Sequence, residues 1–168
     1  MRWRIAIRAT AAPLLLLLLL AGCAPLIADY SLEAYKNATT LKAETLDLID
    51  KSNESYGNRK KEIETLTTQI NVAYEFAAGT PYNSLSAQQW QLLRDPNGSL
   101  YGAYIALWKR SGTISSTVFR TRAKTVIGMA FDEIICLEAS KQTLQSCYPA
   151  AGTSAAGTSA VRTAKTGG

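Results

Sequence analysis

Few side chains of this chain could carry out chemistry, because it has three cysteines, 13 carboxylates and no histidine. The absence of histidine removes the most common general base and the most common metal ligand. It also excludes Ser-His and Cys-His nucleophile pairs. The sequence contains no GxGxxG, Walker-type or HExxH motif, so cofactor chemistry and zinc hydrolysis have no visible basis. We therefore expect no cofactor and no metal site.

Carboxylates can form an acid and base pair for glycoside hydrolysis, and the nearest couples are Asp132 with Glu133 and Glu62 with Glu64. Residues one or two apart on a helix point to different faces, so neither couple can flank one substrate. These side chains are better interpreted as solvated helix charges. An enzyme would have to use carboxylates or tyrosines that only the fold brings together. The sequence predicts no catalytic residue, and we expect a protein that is not an enzyme.

Cys136 and Cys147 are a candidate disulfide if the chain is exported to an oxidising compartment. On an unbroken helix their separation of eleven residues would place them about 16.5 Å apart, beyond the roughly 4.4–6.8 Å that a disulfide spans. The helix must therefore end before Cys147, and Pro149 makes a break near Lys141 plausible. The alternative is a buried free thiol at Cys136 and an exposed thiol at Cys147.

The third cysteine, Cys23, closes a segment with the three parts of an export signal. Three arginines within residues 1–8 form a basic start, and the uncharged residues 9–20 end in a run of seven leucines. This stretch is shorter than the roughly 20 apolar residues that span a bilayer, and the last of the arginines prevents its extension backward. Leu20-Ala21-Gly22-Cys23 resembles the lipobox of bacterial lipoproteins. We therefore predict a cleaved signal peptide over residues 1–22 rather than a transmembrane anchor.

The resemblance implies that Cys23 receives a diacylglyceryl group and becomes the acylated first residue of the mature chain. Three acyl chains make a stable membrane anchor, since each buried methylene contributes about 0.8 kcal/mol. In lipoproteins of proteobacteria, an aspartate after the cysteine retains the protein in the inner membrane, and this chain has Ala24 there. The expected location is the outer membrane, facing the periplasm. A Gram-positive host would use the same motif with a single, outward-facing membrane.

Net charge gives no support for nucleic-acid binding. The full chain has 18 basic and 13 acidic residues, but the predicted signal and the C-terminal tail hold five of the basic ones. Between Cys23 and Pro149 the count is 13 basic residues against 13 acidic ones. Binding to phosphates needs clustered Lys and Arg side chains. The nearest cluster, Arg59-Lys60-Lys61, is more typical of the solvated start of a helix.

Apolar residues recur at steps of three and four, which predicts an all-α fold. We expect one bundle of four to five helices over residues 29–148, after a lipid-anchored linker at 23–28. The predicted helices cover residues 29–51, 58–78, 87–93 and 99–110, followed by a last helix from a cap at Ser115 or Ser116 to about Lys141. The last helix is apolar on more than one face, and its expected inward stripe is Phe119, Ala123, Val126, Ala130, Ile134 and Leu137.

Two further features concern order and packing. Residues 149–168 contain two copies of Ala-Ala-Gly-Thr-Ser and only Val161 as a sizeable apolar residue, which predicts a disordered tail. A spacer that reaches a partner or the cell wall is the functional alternative for this tail.

Gly128 in the last helix costs roughly 1 kcal/mol relative to alanine. It indicates either a close crossing by a neighbouring helix or a glycine tolerated in a well-packed helix.

Aromatic side chains concentrate between residues 80 and 108. Tyr82, Tyr101 and Tyr104 are candidates for an interaction surface, because Tyr and Trp are common at interface hot spots. Trp90 and Trp108 are expected in the core. All five residues are also compatible with core or boundary positions, where the ring is buried and the polar tip reaches a partner.

A short capped helix, the Asp95-Pro96-Asn97-Gly98 turn and an aromatic helix ending in Trp108-Lys109-Arg110 resemble small helical envelope lipoproteins of bacteria. This resemblance names a class and adds no functional residue beyond Cys23. We expect a non-enzymatic module that docks an envelope protein through apolar contacts. The alternative is a binding protein that holds an apolar or amphipathic ligand inside the bundle, in a cavity lined by Phe119, Phe131 and Trp108.

Overall fold

The computed structural model describes residues 27–143 and Cys147, and this part of the chain is all-α, as predicted, with no β-strand. The helices are α1 (Leu32–Asp50), α2 (Tyr56–Gly79), α3 (Ser84–Arg94), α4 (Tyr101–Ser111) and α5 (Thr117–Thr143), and a 3₁₀ turn at Lys51–Asn53 continues α1. The predicted signal peptide with Cys23 and the predicted tail from Pro149 onward lie outside the described residues.

Serine side chains cap three of these helices. Ser31 Oγ accepts a hydrogen bond from the Ala34 N–H at 3.2 Å, and Ser55 Oγ accepts one from the Asn58 N–H at 3.2 Å. Ser116 Oγ accepts a bond of 3.3 Å from the first turn of α5, which decides between the two predicted caps of that helix. Each bond satisfies a backbone donor that a helix start otherwise leaves without a partner.

α3 begins earlier than the sequence indicates. The predicted capping box started the helix after Ser86, but Ser86 lies inside α3 and is buried. The residue before the helix is Asn83, whose Nδ2 donates to the Ala77 carbonyl at 3.3 Å instead of capping α3. A tertiary contact with the end of α2 therefore sets the start of α3.

The core follows the predicted periodicity in α2 and departs from it in α5. The predicted α2 face, with Ile63, Leu66, Ile70, Ala73 and Ala77, is buried. In α5 the buried stripe consists of Ile127, Phe131, Ile134 and Glu138, whereas Phe119 and Val126 are exposed. The predicted inward stripe of α5 was therefore wrong at these two positions. Because α5 is apolar on several faces, periodicity alone could not choose the buried one.

The five helices are arranged as a four-helix bundle, in which α3 and α4 together take the place of the third helix. α1 packs against α2 and α5, and α3 packs against α2 and α5. Lys42 pairs with Asp132 and Lys124 pairs with Asp50, so α1 and α5 run antiparallel. α4 follows α3 and also packs along α2, in the direction of the first residue of α2. At that end the Trp108 side chain donates to the Glu54 carbonyl. The result is an up-down-up-down bundle whose third helix is interrupted.

A glycine permits this interruption, and it is not the one that the sequence singled out. A Cβ on Gly102 would lie 2.2 Å from the Arg94 carbonyl oxygen, so only glycine lets α4 begin directly against the end of α3. A Cβ on Gly128 would meet the Leu46 side chain at 3.7 Å, an ordinary contact. Gly128 is therefore a tolerated glycine in a packed helix.

Different bonds close the two ends of the bundle. At the Ala28 end, where α1 and α3 begin and α2 and α5 end, the Ala28 N–H donates to the Tyr82 carbonyl at 3.2 Å. At the Trp108 end, the Tyr56 N–H donates to the Gly112 carbonyl and the Ile114 N–H to the Ser52 carbonyl, both at 2.8 Å.

Candidate docking surface

The aromatic residues between 80 and 108 divide between core and surface. Trp90 and Trp108 are buried, as predicted. Trp90 meets Phe131 edge-on at 5.9 Å between ring centroids, and Trp108 Nε1 donates to the Glu54 carbonyl at 3.1 Å. Tyr82 is exposed in the loop before α3.

The prediction that Tyr101 and Tyr104 are exposed is wrong, although Tyr104 lines the groove described below. Both are buried, and each hydroxyl has a partner in the protein. The Tyr101 hydroxyl lies 2.8 Å from Thr67 Oγ1, and the Tyr104 hydroxyl lies 2.6 Å from Ser52 Oγ. Burial raises the pKa of both phenols above its ordinary value. Because the core satisfies their polar tips, these rings can be buried without an unpaired hydroxyl.

An apolar groove lies between α4 and the first half of α5, and we call it the α4/α5 groove. The Tyr104 and Phe119 rings stack across it, with centroids 6.0 Å apart and planes 10° from parallel. Its volume is about 300 Å³. It is lined by Ser99, Ala103, Tyr104, Leu107, Arg110, Phe119, Arg122, Ala123, Val126 and Ile127. The exposed Phe119 and Val126 side chains that the sequence placed in the core thus face this groove.

Two guanidinium groups accompany the apolar lining. Arg110 and Arg122 are exposed, and within the described residues neither makes a salt bridge. Arg120, by contrast, folds back onto its own chain, where Nη1 donates to the Ile114 carbonyl at 2.7 Å and the Ser115 carbonyl at 2.9 Å. An apolar floor with two available cations fits an amphipathic segment that carries carboxylates.

A second groove, of about 670 Å³, lies between α2 and the α3–α4 junction. Its main cation is already engaged by the protein. The Arg94 guanidinium lies 3.6 Å from the centroid of the Tyr74 ring and donates to Asn71 Oδ1 at 3.1 Å and Gln91 Oε1 at 2.9 Å. The lining combines polar side chains of α2 and α3 with apolar side chains of α2 and α4, and we assign no chemistry to it.

Three of the four carboxylates considered from the sequence are engaged in ion pairs. Glu62 accepts from Lys51 at 2.6 Å and from Arg59 at 3.1 Å, while Glu64 pairs with Lys60 at 3.7 Å. Asp132 of the other couple pairs across the bundle with Lys42. In the part of the chain that the structure describes, no three residues among His, Cys, Asp and Glu come together in a way that could hold a metal ion.

Sequence reasoning missed a buried ion pair at the Ala28 end. The side chains of Glu138 and Lys141 are only 2 % and 8 % exposed, and they meet at 2.6 Å. Lys141 Nζ also donates to Asn83 Oδ1 at 2.6 Å. The spacing of three residues on a helix predicts such a pair, but only the packing of α5 against α3 reveals that it is buried.

The predicted disulfide is present. Cys136 and Cys147 are joined, with their Cα atoms 5.6 Å apart. α5 ends at Thr143, so the helix stops between the two cysteines, as the geometry of the bridge required. The bridge ties the chain after α5 back onto that helix at the Ala28 end.

The residues proposed to line an interior cavity do not lie together. Trp108 and Phe131 are fully buried among core side chains, whereas Phe119 is at the surface in the α4/α5 groove. A small pocket beside Trp90 and Glu138 has a volume of about 10 Å³, which is room for one water molecule at most. This packing gives no support to a ligand inside the bundle.

No helix among the described residues is long and apolar enough to cross a membrane. Cys23, the predicted site of lipid attachment, lies outside those residues. Comparison of the chain with protein-family models, with curated proteins and with solved structures found no match.

Proposed function

We propose that this chain is a bacterial lipoprotein, anchored through Cys23 to the periplasmic side of the outer membrane, whose helical domain docks another envelope protein. The α4/α5 groove is the observation that carries the docking role. Between the other neighbouring helices of the bundle, side chains of one helix cover those of the next. In the α4/α5 groove, apolar side chains of both helices remain exposed. We further propose that the domain is not an enzyme and that it needs no cofactor.

The shape of the groove favours a helix as its occupant. On α4 the groove-lining residues Ala103 and Leu107 are four apart, and on α5 Phe119, Ala123 and Val126 follow at steps of four and three. Such rows form the ridges between which a third helix packs. An amphipathic partner helix would lay its apolar face on these rows.

The charge of the groove favours acidic residues beside that apolar face. Arg110 and Arg122 line the groove, and no carboxylate is among the residues that line it. A bidentate contact from either guanidinium to a carboxylate would fix the register of the partner helix. The proposed occupant is therefore an amphipathic helix with aspartate or glutamate along one edge.

A pair of photo-cross-linkers on α5 tests the docking proposal. A photoreactive phenylalanine replaces Val126 in the groove or Met129 one turn away, outside the groove lining, with side chains 43 % and 65 % exposed. The full lipidated chain is irradiated in intact cells, and the attached peptide is identified by mass spectrometry. We expect a single envelope protein, cross-linked through a predicted helix with acidic residues, from Val126 and not from Met129.

Charge reversal then separates specific docking from chance proximity. Arg122→Glu should abolish the cross-link from Val126, and replacement of the facing acidic residue of the partner by lysine should restore it. Equal products from both probe positions, or a cross-link that survives the reversal, would contradict docking in this groove.

The anchor is tested separately. Cells fed an alkyne-tagged fatty acid should label the wild-type chain but not Cys23→Ser, and gradient separation should place the labelled protein with the outer membrane. Absence of label from the wild-type chain would refute the lipoprotein proposal and leave the docking result to be judged by itself.

A further inference from the structure

Five large apolar side chains are exposed at the Ala28 end of the bundle. They belong to different segments that meet there: the residues before α1, the start of α1, the end of α2, the loop after it and the start of α3. The five are Ile27, Leu32, Phe76, Tyr82 and Leu85, and we call them the apolar end. Single exposed apolar residues are ordinary, but five on segments that converge at one end make this end a candidate interaction surface.

Buried polar contacts hold these segments in place. The Ala28 N–H bonds the Tyr82 carbonyl, which fixes the entering chain to the loop before α3. Asn83, itself buried, joins the end of α2 to the end of α5 through its bonds to the Ala77 carbonyl and to Lys141. The apolar end is thus a preorganised surface, and little ordering would accompany its binding to a partner.

Chain length brings this surface close to the proposed anchor. Ala28 is only five positions after Cys23, and there the chain is already buried and hydrogen-bonded in the bundle. Five fully extended residues reach at most about 18 Å. A lipid on Cys23 therefore keeps the Ala28 end within that distance of the bilayer.

Charge excludes an electrostatic mode of membrane contact. The exposed charged residues near this end are Asp29, Glu33, Lys36 and Glu75, three carboxylates against one amine. Lys141 is buried and paired with Glu138. Attraction to anionic lipids needs clustered basic residues, so the contact must depend on apolar and aromatic side chains, which settle at the boundary of headgroups and acyl chains.

We propose that the apolar end is a membrane-contact surface, which rests on the bilayer and inserts Ile27, Leu32, Tyr82 and Leu85 into its interfacial layer. This inference depends on the proposed lipid anchor at Cys23. The contact orients the bundle with its long axis away from the membrane. It leaves the α4/α5 groove, which lies toward the Trp108 end, directed to the periplasm.

Two leucines on α3 provide a matched pair of probes. Leu85 and Leu92 are 45 % and 57 % exposed. They lie seven residues apart, so they share one helix face but differ by about 10.5 Å along the axis. Each is replaced by cysteine and labelled with a fluorophore that responds to polarity, in the full lipidated chain. The proteins are reconstituted in vesicles of phosphatidylcholine and phosphatidylethanolamine, with and without lipids that carry a quencher on the acyl chain.

We expect a blue-shifted emission at Leu85 and quenching at least about twofold stronger than at Leu92, because interfacial insertion reaches only about 5–10 Å. Addition of phosphatidylglycerol should leave this difference unchanged. Equal quenching at both positions, or none at either, would overturn the inference. A label at Leu32 should repeat the result of Leu85, and circular dichroism of each labelled protein verifies its helix content.

Flotation of the vesicles distinguishes the two proposals. If the wild-type chain floats with the vesicles and Leu85 is not quenched, the lipid anchor stands and only the membrane-contact surface fails. If the wild-type chain does not float, the lipoprotein proposal fails and the inference that depends on it fails as well.

Discussion

The two ends of the bundle close the helical core with different arrangements of ion pairs and exposed apolar side chains. At the Ala28 end one ion pair, Glu138–Lys141, is buried, and large apolar side chains are exposed beside the charged residues Asp29, Glu33, Lys36 and Glu75. At the Trp108 end the indole is buried, while Lys51 and Arg59 form a partly exposed network of ion pairs with nearby carboxylates. The start of α5 also exposes two large apolar side chains at this end, Val118 and Phe119, and Phe119 lines the α4/α5 groove.

This difference between the two ends suggests how the bundle is oriented relative to the membrane. Water solvates the ion pairs of the Trp108 end. The exposed apolar side chains of the Ala28 end would be stabilised by a surface that covers them. The proposed anchor lies next to the apolar end, and the proposed docking groove lies toward the other. The two proposals together describe a module that stands on the membrane and presents its groove away from it.

The largest effect is expected from the buried pair at the Ala28 end. Lys141→Met leaves the Glu138 carboxylate buried and unpaired, which should lower the free energy of unfolding by about 3–5 kcal/mol. Lys51→Met at the Trp108 end removes a cation of the same type from a network that water reaches, so its loss should be much smaller. Urea unfolding of both variants measures the difference.

A double variant checks the cause. Glu138→Leu combined with Lys141→Met removes both charges and should recover most of the stability that the single variant loses, because apolar residues replace a buried pair at little net loss. Similar losses for the variants at the two ends would show that the Ala28 end is wetter than its burial indicates.

The second effect concerns the disulfide of the Ala28 end. Cys136→Ser together with Cys147→Ser should lower the free energy of unfolding by about 2–4 kcal/mol, since the bridge closes a short loop in the unfolded chain. Hydrogen exchange should become faster in the last turns of α5 and at Ala28, while the backbone bonds of the Trp108 end keep their protection. Equal acceleration at both ends would indicate that the bundle opens only as a whole.

The sequence predicted the helices well where one apolar stripe faced one neighbour. α2 is such a helix, and its predicted buried face is the observed one. α5 was harder, because several of its faces are apolar and the choice among them depends on which neighbours exist. The early start of α3 follows from the contact between Asn83 and the end of α2. Local capping patterns do not contain that information.

The candidate sites depended even more on tertiary structure. The α4/α5 groove is lined by Phe119, Ala123 and Val126, which the sequence placed in the core. Tyr101 and Tyr104, which the sequence offered as an exposed surface, are buried. The sequence does not show whether the folded core will supply a hydrogen-bond partner for a tyrosine hydroxyl, and this partner decides whether the ring can be buried. The disulfide was predictable because the two cysteines are close in sequence. The distance that a disulfide spans therefore required only that α5 end between them.

The third prediction concerns the joint between α3 and α4, which separates the two ends. Gly102→Ala forces a Cβ toward the Arg94 carbonyl and should cost about 1–3 kcal/mol, with loss of the α4/α5 groove if α4 tilts away. Gly128→Ala should raise stability by up to about 1 kcal/mol, because the helix gains propensity and the new methyl group meets only ordinary contacts. Thermal unfolding of the two variants compares them, and a stabilising Gly102→Ala would refute the close approach.

The smallest effect is a dependence on acid confined to the Trp108 end. The hydrogen bonds from Arg59 hold the pKa of the Glu54 carboxyl below its ordinary value of 4.5. A carboxyl with a lowered pKa adds stability above its unfolded pKa, and this contribution is lost as the pH falls through the lower, folded value. Arg59→Met should therefore make the decline of the melting temperature below about pH 4.5 shallower than in the wild type.

Lys60→Met is the control for this acid effect, since Lys60 pairs with Glu64 at 3.7 Å on the open surface, where water screens the pair. Its decline in acid should match the wild type. A parallel decline of Arg59→Met and the wild type would show that the network around Glu54 does not contribute to the closure of this end. The backbone bonds of Tyr56 and Ile114, together with the buried Trp108, would then close the Trp108 end without help from its charges.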